Sequence, residues 1–153
     1  MIKVNVLCED YSWTKRIKKK QDLFNQVCKK FPKKYRFISK KAYLTLLLSN
    51  NNKIKILNKK FRNKNKHTDI LSFPFKDKKK KLKEIYLGDL IISYNYMSKP
   101  KNLSNYEFKK KTIKIFIHGF LHLLGYDHIK NKEYKEMLKQ EQKVFKSVEK
   151  LLN

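Results

Sequence analysis

HGFLHLLGYDH, residues 118–128, sets three histidines in the pattern HxxxHxxGxxH inside a strongly apolar run. An α-helix advances 3.6 residues per turn, so His118 and His122 stand one turn apart on one face, each able to offer a ring nitrogen to a single ion. A third ligand has to come from beyond the helix. Gly125 lets the chain leave through a positive φ, and His128, three residues on, can swing back toward the same point. Three neutral imidazoles suit Zn²⁺ best among common cations, and three protein ligands leave a fourth position open, as catalytic sites do. One zinc ion per chain is therefore expected. The chain has only 4 histidines; the remaining one, His67, reads as a packed or loop residue. Asp127 reads as a turn former or as support for an imidazole N–H rather than as a ligand.

Working outward, Phe108, Ile113, Phe116, Ile117, Phe120, Leu121 and Leu124 form one apolar stripe and make the segment after Pro100 a helix ending at Gly125. A last amphipathic helix is expected from about Lys132 to Leu152. On the other side, EIYLGDLIIS reads as a strand from Glu84 to Ser93, with Gly88 marking a bulge or a close backbone approach. Ile70 to Phe75 is an apolar run in which Pro74 implies an edge strand or a strand end. The polar, basic connection Arg62 to Thr68 precedes it, and the lysine run Lys76 to Lys83 after it reads as a solvated hairpin or loop. Asn50 to Asn52 can turn and cap a short helix suggested by Ile54, Ile56, Leu57 and Phe61. AYLTLLLS is a buried strand from Ala42 to Ser49, and alternation from Ile2 to Cys8 gives an opening strand. Apolar residues at helical spacing predict one helix from Trp13 to Phe31, stopped by Pro32. No repeat or linker divides the chain, so residues 1–153 should form one α+β domain, a mixed sheet of about four strands packed with helices.

Composition narrows the partners. Lys+Arg of 39 against Asp+Glu of 13 gives a formal charge of +26, which attracts polyanions, nucleic acid first among them. Compositional drift in an AT-rich genome would also enrich lysine, asparagine, isoleucine, phenylalanine and tyrosine. The charge acts on RNA whatever its origin. The 2 cysteines, Cys8 and Cys28, are too few and too scattered for a disulfide framework, which fits a reducing cytoplasm. No stretch has a signal-peptide core or the ~18 apolar residues of a membrane span, so a soluble, cytoplasmic protein with no membrane partner is expected.

The register of the histidines is also that of zinc peptidases written HExxHxxGxxH, but Gly119 stands where those enzymes carry a glutamate. That glutamate takes a proton from water and delivers it to a departing amine, and glycine can do neither. A phosphodiester asks chiefly for cations to offset charge developing on its oxygens. A metal with Arg or Lys beside it matches that demand better.

HGFLHLLGYDH closely resembles the HGxLHLxGYDH signature of the YbeY proteins, bacterial metal-dependent endoribonucleases implicated in ribosomal RNA maturation. The resemblance extends to LNKKFRNKNKHTDILSFPF from Leu57, to LGDLIIS from Leu87, and to Met137 and Glu141 in the last helix, covering most of the chain from about residue 54. It implies that His118, His122 and His128 bind the zinc, and that Arg62 is a cleft arginine that matters for RNA cleavage. A planar guanidinium can grip two phosphate oxygens at once; without the family, Arg62 would read as one more surface cation. Thr68, Asp69, Ser72, Phe73 and Pro74 would line or support the same cleft. The chain departs from the family pattern at Phe61, where tyrosine is common, and at Asn63 and His67, where glycine and proline are expected. The first 50 residues carry no motif.

The resemblance thus implies a zinc-dependent endoribonuclease cutting single-stranded RNA, because unstacked bases let a phosphodiester bend into a cleft. It further implies 16S ribosomal RNA 3′ end maturation, ribosome quality control and association with the small ribosomal subunit. Lys114, one turn before His118, either extends a phosphate track or is simply solvated. Two rivals stand beside this reading. A zinc hydrolase of peptide or amide bonds would need a distant proton carrier such as Glu133 or Glu141. A non-enzymatic ribosome-binding protein would use zinc only to pin its fold. Neither oligomeric state nor the choice between water and the 2′-hydroxyl as nucleophile follows from the sequence.

Overall fold

The computed structural model describes residues 1–76 and 83–153. Its strands are β1 (Ile2–Cys8), β2 (Lys41–Ser49), β3 (Ile70–Pro74) and β4 (Glu84–Ser93), and its helices are α1 (Ser12–Arg16), α2 (Lys20–Lys29), α3 (Asn51–Arg62), α4 (Tyr94–Met97), α5 (Asn105–Leu123) and α6 (Asn131–Val148). Short 3₁₀ turns cover Lys33–Tyr35 and Glu149–Leu152. Most of the lysine run after β3, residues 77–82, lies outside the described residues.

The strands form one sheet in the order β1-β2-β4-β3. β1, β2 and β4 run parallel, while β3 pairs antiparallel with β4 at the edge, where Pro74 removes no ladder hydrogen bond. This is the mixed four-stranded α+β arrangement expected. Alternate side chains sort to opposite faces. Val4, Leu44, Leu46, Leu90 and Ile92 enter a large core with α2, α5 and α6, whereas Leu47, Leu71 and Ile91 meet Ile54 and Leu57 of α3 on the other face. Phe24, Phe108, Phe116 and Phe120 are fully buried in the large core, each stabilising the fold by about 1.5–3 kcal/mol.

The single helix expected from Trp13 to Phe31 is two helices. The chain leaves α1 at Ile17 in extended conformation, φ −134° and ψ 102°. Two anchors pull in different directions. The Trp13 indole N–H donates to the Ser49 carbonyl at 2.8 Å, while α2 must lie along β1. There the amides of Gln21 and Asn25 accept the outward N–H groups of Val6 at 3.0 Å and Val4 at 2.9 Å. Those amides occupy the sheet edge that would otherwise be open to another strand.

Two local devices position the elements of the site. Ser104 and Glu107 form a reciprocal capping box, Glu107 N–H to Ser104 Oγ at 3.1 Å and Ser104 N–H to Glu107 Oε2 at 2.9 Å, which starts α5. Gly88 sits at the bulge where β4 slips one residue against β2. Its φ is +136°, and a Cβ there would lie 2.2 Å from the Phe73 carbonyl oxygen, so β3 and β4 approach this closely only through glycine.

Candidate metal centre

Helix α5 ends as its sequence requires. Gly125 adopts φ +96°; its N–H donates to the His122 carbonyl at 3.0 Å, and the Tyr126 N–H donates to the Leu121 carbonyl at 3.1 Å. This bond pair closes a helix around a left-handed residue. The same turn sends the Tyr126 carbonyl back to His122 Nδ1 at 2.9 Å. A carbonyl oxygen only accepts, so Nδ1 carries the proton and Nε2 the lone pair. Glu141 of α6 does the same for His118, its Oε1 lying 2.5 Å from Nδ1.

With both Nδ1 atoms committed, the two Nε2 atoms face each other at 3.1 Å. Two ligands of a tetrahedral zinc ion would stand about 3.3 Å apart. His128 comes from the turn beyond the helix, and one ring nitrogen from each of the three histidines falls within 4.8 Å of the others. Asp127 pins it, Oδ1 accepting the His128 N–H at 2.7 Å. Burial, then the neighbouring His118, holds His122 below its ordinary pKa. The ring thus favours the neutral form a metal requires. The donor set and its committed tautomers fit a metal ion.

The trio opens into a cleft of about 620 Å³ shared with Arg62, Thr68 and Ser72. Arg62 lies in the last turn of α3, where the helix dipole favours a cation. Its Nη2 donates to the Ser72 carbonyl at 2.6 Å, and its guanidinium stacks over Phe73 at 5.3 Å. Asp69 holds the loop, its Oδ1 accepting both the Thr68 hydroxyl at 3.1 Å and the Ile70 N–H at 2.8 Å. The three departures noted in the sequence are all accommodated. Asn63 takes the left-handed conformation, φ 54° and ψ 34°, which asparagine tolerates better than most residues. His67 stands apart from the trio, its Nδ1 3.0 Å from the Tyr96 hydroxyl. Phe61 sets its ring against the edge of Phe73 at 5.6 Å.

Gly119 is a packing residue. A Cβ there would lie 2.5 Å from Ile70 Cδ1, 2.9 Å from Leu90 Cδ2 and 3.2 Å from Ser72 Oγ. Even a methyl group would require Ile70 and Leu90 to shift, so glycine suits this close helix–sheet contact where the peptidase pattern has glutamate. The two distant acids are already engaged, Glu141 by His118 and Glu133 by the Lys130 N–H at 3.3 Å in the cap of α6. Lys114 does not join the cleft; its ammonium lies over Phe145 at 4.9 Å, in the groove between α5 and α6.

Sequence spacing missed Glu141 as the partner of His118. No local pattern announces it, since the pair are separated by 23 residues and meet only when α6 packs on α5. Among the described residues no helix is long and apolar enough to cross a membrane.

Comparison with known proteins gives the family. The family described as "Endoribonuclease YbeY" matches residues 7–149. Endoribonuclease YbeY of Pelagibacter ubique (strain HTCC1062) is 59% identical over 148 residues, covering 97% of each chain. That of Persephonella marina (strain DSM 14350 / EX-H1) is 36% identical over 106 residues, 69% of each chain. Among solved structures, the solution structure of TM1509 from Thermotoga maritima superposes with a TM-score of 0.56 at 25% identity, covering 97% of this chain and 89% of that one. A match that runs from β1 through the histidine trio to the end of α6 leaves one conclusion: the chain belongs to the endoribonuclease YbeY family.

Proposed function

We propose that this chain is a metal-dependent endoribonuclease acting on single-stranded RNA, with His118, His122 and His128 holding one zinc ion and Arg62 as the catalytic cation. The carrying observation is the pair of Nε2 atoms 3.1 Å apart, their Nδ1 atoms committed to Glu141 and the Tyr126 carbonyl, in one cleft with Arg62. A zinc ion bound there supplies Lewis-acid chemistry toward a phosphodiester.

The chain's own residues then divide the work. Glu141 and the Tyr126 carbonyl keep each proton on Nδ1, so the metal-facing nitrogens stay unprotonated. Arg62, braced by Ser72 and Phe73, offers its remaining N–H groups to phosphate oxygens and offsets charge that grows during cleavage. Gly119 leaves no built-in acid to protonate an amine. Its absence favours phosphodiester over amide cleavage, because the former depends more on cations than on a proton delivered to nitrogen. The open cleft suits strands whose bases are unstacked. On this reading the substrate is precursor ribosomal RNA, including the 16S 3′ end, and the partner is the small ribosomal subunit in the cytoplasm.

The test is cleavage of single-stranded RNA by metal-loaded protein, with and without chelator, beside Arg62→Ala and His122→Ala. Loss in all three arms is expected, with Arg62→Ala slowed by about 100-fold or more. Undiminished cleavage under chelation would exclude metal-assisted chemistry. Cleavage of a peptide in place of RNA would favour the hydrolase rival, and RNA binding that survives His118→Ala with no cutting by the parent would favour the structural-zinc rival. Elemental analysis of the purified protein identifies the metal.

A further inference from the structure

Among the described residues, α3 covers only part of the sheet face opposite the large core. Ile54 and Leu57 of α3 pack on Leu47, Leu71 and Ile91, and that cover ends at Phe73. Beyond it the register sets Lys3 beside Tyr43 and Tyr43 beside Tyr86 across three strands. Phe75, just past the end of β3, brings its ring to 5.5 Å from Tyr86. Phe75 is 56% exposed and Tyr86 36%, and Phe61 at the rim of α3 is 61% exposed. Phe75 follows the last residue of β3 and leaves more than half of its surface exposed.

We propose that this aromatic row stacks unpaired bases of the RNA whose phosphodiester occupies the cleft, an inference that rests on the nuclease reading above. Two observations commit the surface to single-stranded RNA. First, it is continuous with the cleft. Ile70, Ser72 and Pro74 of β3 face the cleft and Phe73 faces the other side; Arg62 spans this edge, its Nη2 on the Ser72 carbonyl and its guanidinium over Phe73, and the Phe75 N–H continues the ladder past β3 to the Leu87 carbonyl at 3.0 Å. A strand leaving the cleft turns round the β3 edge at Arg62, over Phe73, to reach Phe75 and Tyr86. Second, the charge is complementary. Exposed Lys3, Lys41 and Lys76 border the row. Among the described residues they outnumber its two acids, Glu84, which pairs with Lys41 at 3.8 Å, and Asp89, which accepts from the Tyr86 hydroxyl. Exposed aromatic rings beside cations are what sequence-tolerant binding of single strands uses, since every base has a π-face. A duplex keeps its bases stacked inside and gains nothing from such rings.

The experiment measures binding, not cutting, under chelation. A short single-stranded RNA carrying a fluorescent adenine analogue near one end is titrated with the full chain, with a duplex of the same sequence as comparison. The parent is expected to quench the analogue and to prefer the single strand. Phe75→Ala/Tyr86→Ala should weaken single-strand binding by at least about five-fold per lost stack and abolish the quench. Phe75→Leu/Tyr86→Leu, which keeps apolar bulk and protects the fold, should lose the quench equally. Either double variant binding the single strand like the parent, quench intact, overturns the proposal, as does equal affinity of the parent for duplex and single strand. The two readings fail separately: a parent that never cuts RNA without chelator sinks the nuclease reading, whereas a parent that cuts, with variants that bind unchanged, sinks only the stacking surface.

Discussion

Replacing Glu141 tests the logic of the proposed metal centre without touching any of its proposed ligands, His118, His122 and His128. Its carboxylate accepts the His118 Nδ1–H at 2.5 Å, from a side chain 25% exposed against a ring 27% exposed. In Glu141→Leu the imidazole loses the one acceptor that fixes its tautomer, and Nε2 carries the proton for part of the time. Outer partners of this kind change metal affinity by about 10- to 100-fold, or about 1.4–2.7 kcal/mol. The fold should tolerate the change, because Ile117, Leu138 and Phe145 already line the adjacent groove. Glu141→Gln keeps an acceptor oxygen but no charge, so its loss should sit at the low end, about tenfold. The assay is competition for zinc against a chromophoric chelator, with melting of the metal-free proteins as the check on folding. At saturating metal the zinc-induced stabilisation should fall by the same free energy. A Glu141→Leu variant that binds zinc within about twofold of the parent, and melts like it, would refute the claim that this carboxylate orients the ligand.

Three further outcomes follow from named contacts. Gly119→Ala forces a methyl group into Ile70 and Leu90 and should destabilise by about 1–3 kcal/mol, read as a fall in Tm of roughly 2–4 °C per kcal/mol; an unchanged Tm would mean that α5 does not sit this close to the sheet. Asn63, at φ 54°, should accept Gly with little change, whereas Asn63→Val should cost about 1–2 kcal/mol by denaturant unfolding. The Asp10 carboxyl is held below its usual value of 3.8, first by the Ser12 N–H. A depressed folded pKa means that the unfolded chain binds the proton more readily, so this stabilisation is present above about pH 4 and is lost as pH falls through the folded value. Asp10→Asn should therefore unfold with a flatter acid limb than the parent in a pH series of melts.

The first 50 residues show how far pattern carries and where it stops. Alternation from Ile2 to Cys8 and the apolar run into Ser49 depend on neighbours two residues apart, and both strands form as read. The apolar spacing from Trp13 to Phe31 is equally clear, yet the helix breaks at Ile17. The break serves contacts with Ser49 and with the backbone of β1, which helical periodicity does not encode. Asn63 is similar: its place after Arg62 looks like a departure from the family, and only the left-handed backbone there shows why asparagine suffices.

Within eleven residues the sequence by itself laid out the histidine group of the candidate site. One helical turn aligns His118 with His122, and a glycine exit returns His128; both are consequences of local backbone geometry. The family, the four-stranded mixed sheet and the excess of positive charge were legible for the same reason, since motif, periodicity and composition belong to the chain whatever its folding. Only the tertiary structure decided that Gly119 is a point of contact with β3 and β4, that Glu141 meets His118, and that among the described residues Phe75 and Tyr86 stay exposed beyond α3. These facts depend on which surfaces meet when helices pack on a sheet. That outcome is set by the shape and burial of the whole core, not by the spacing of any one segment.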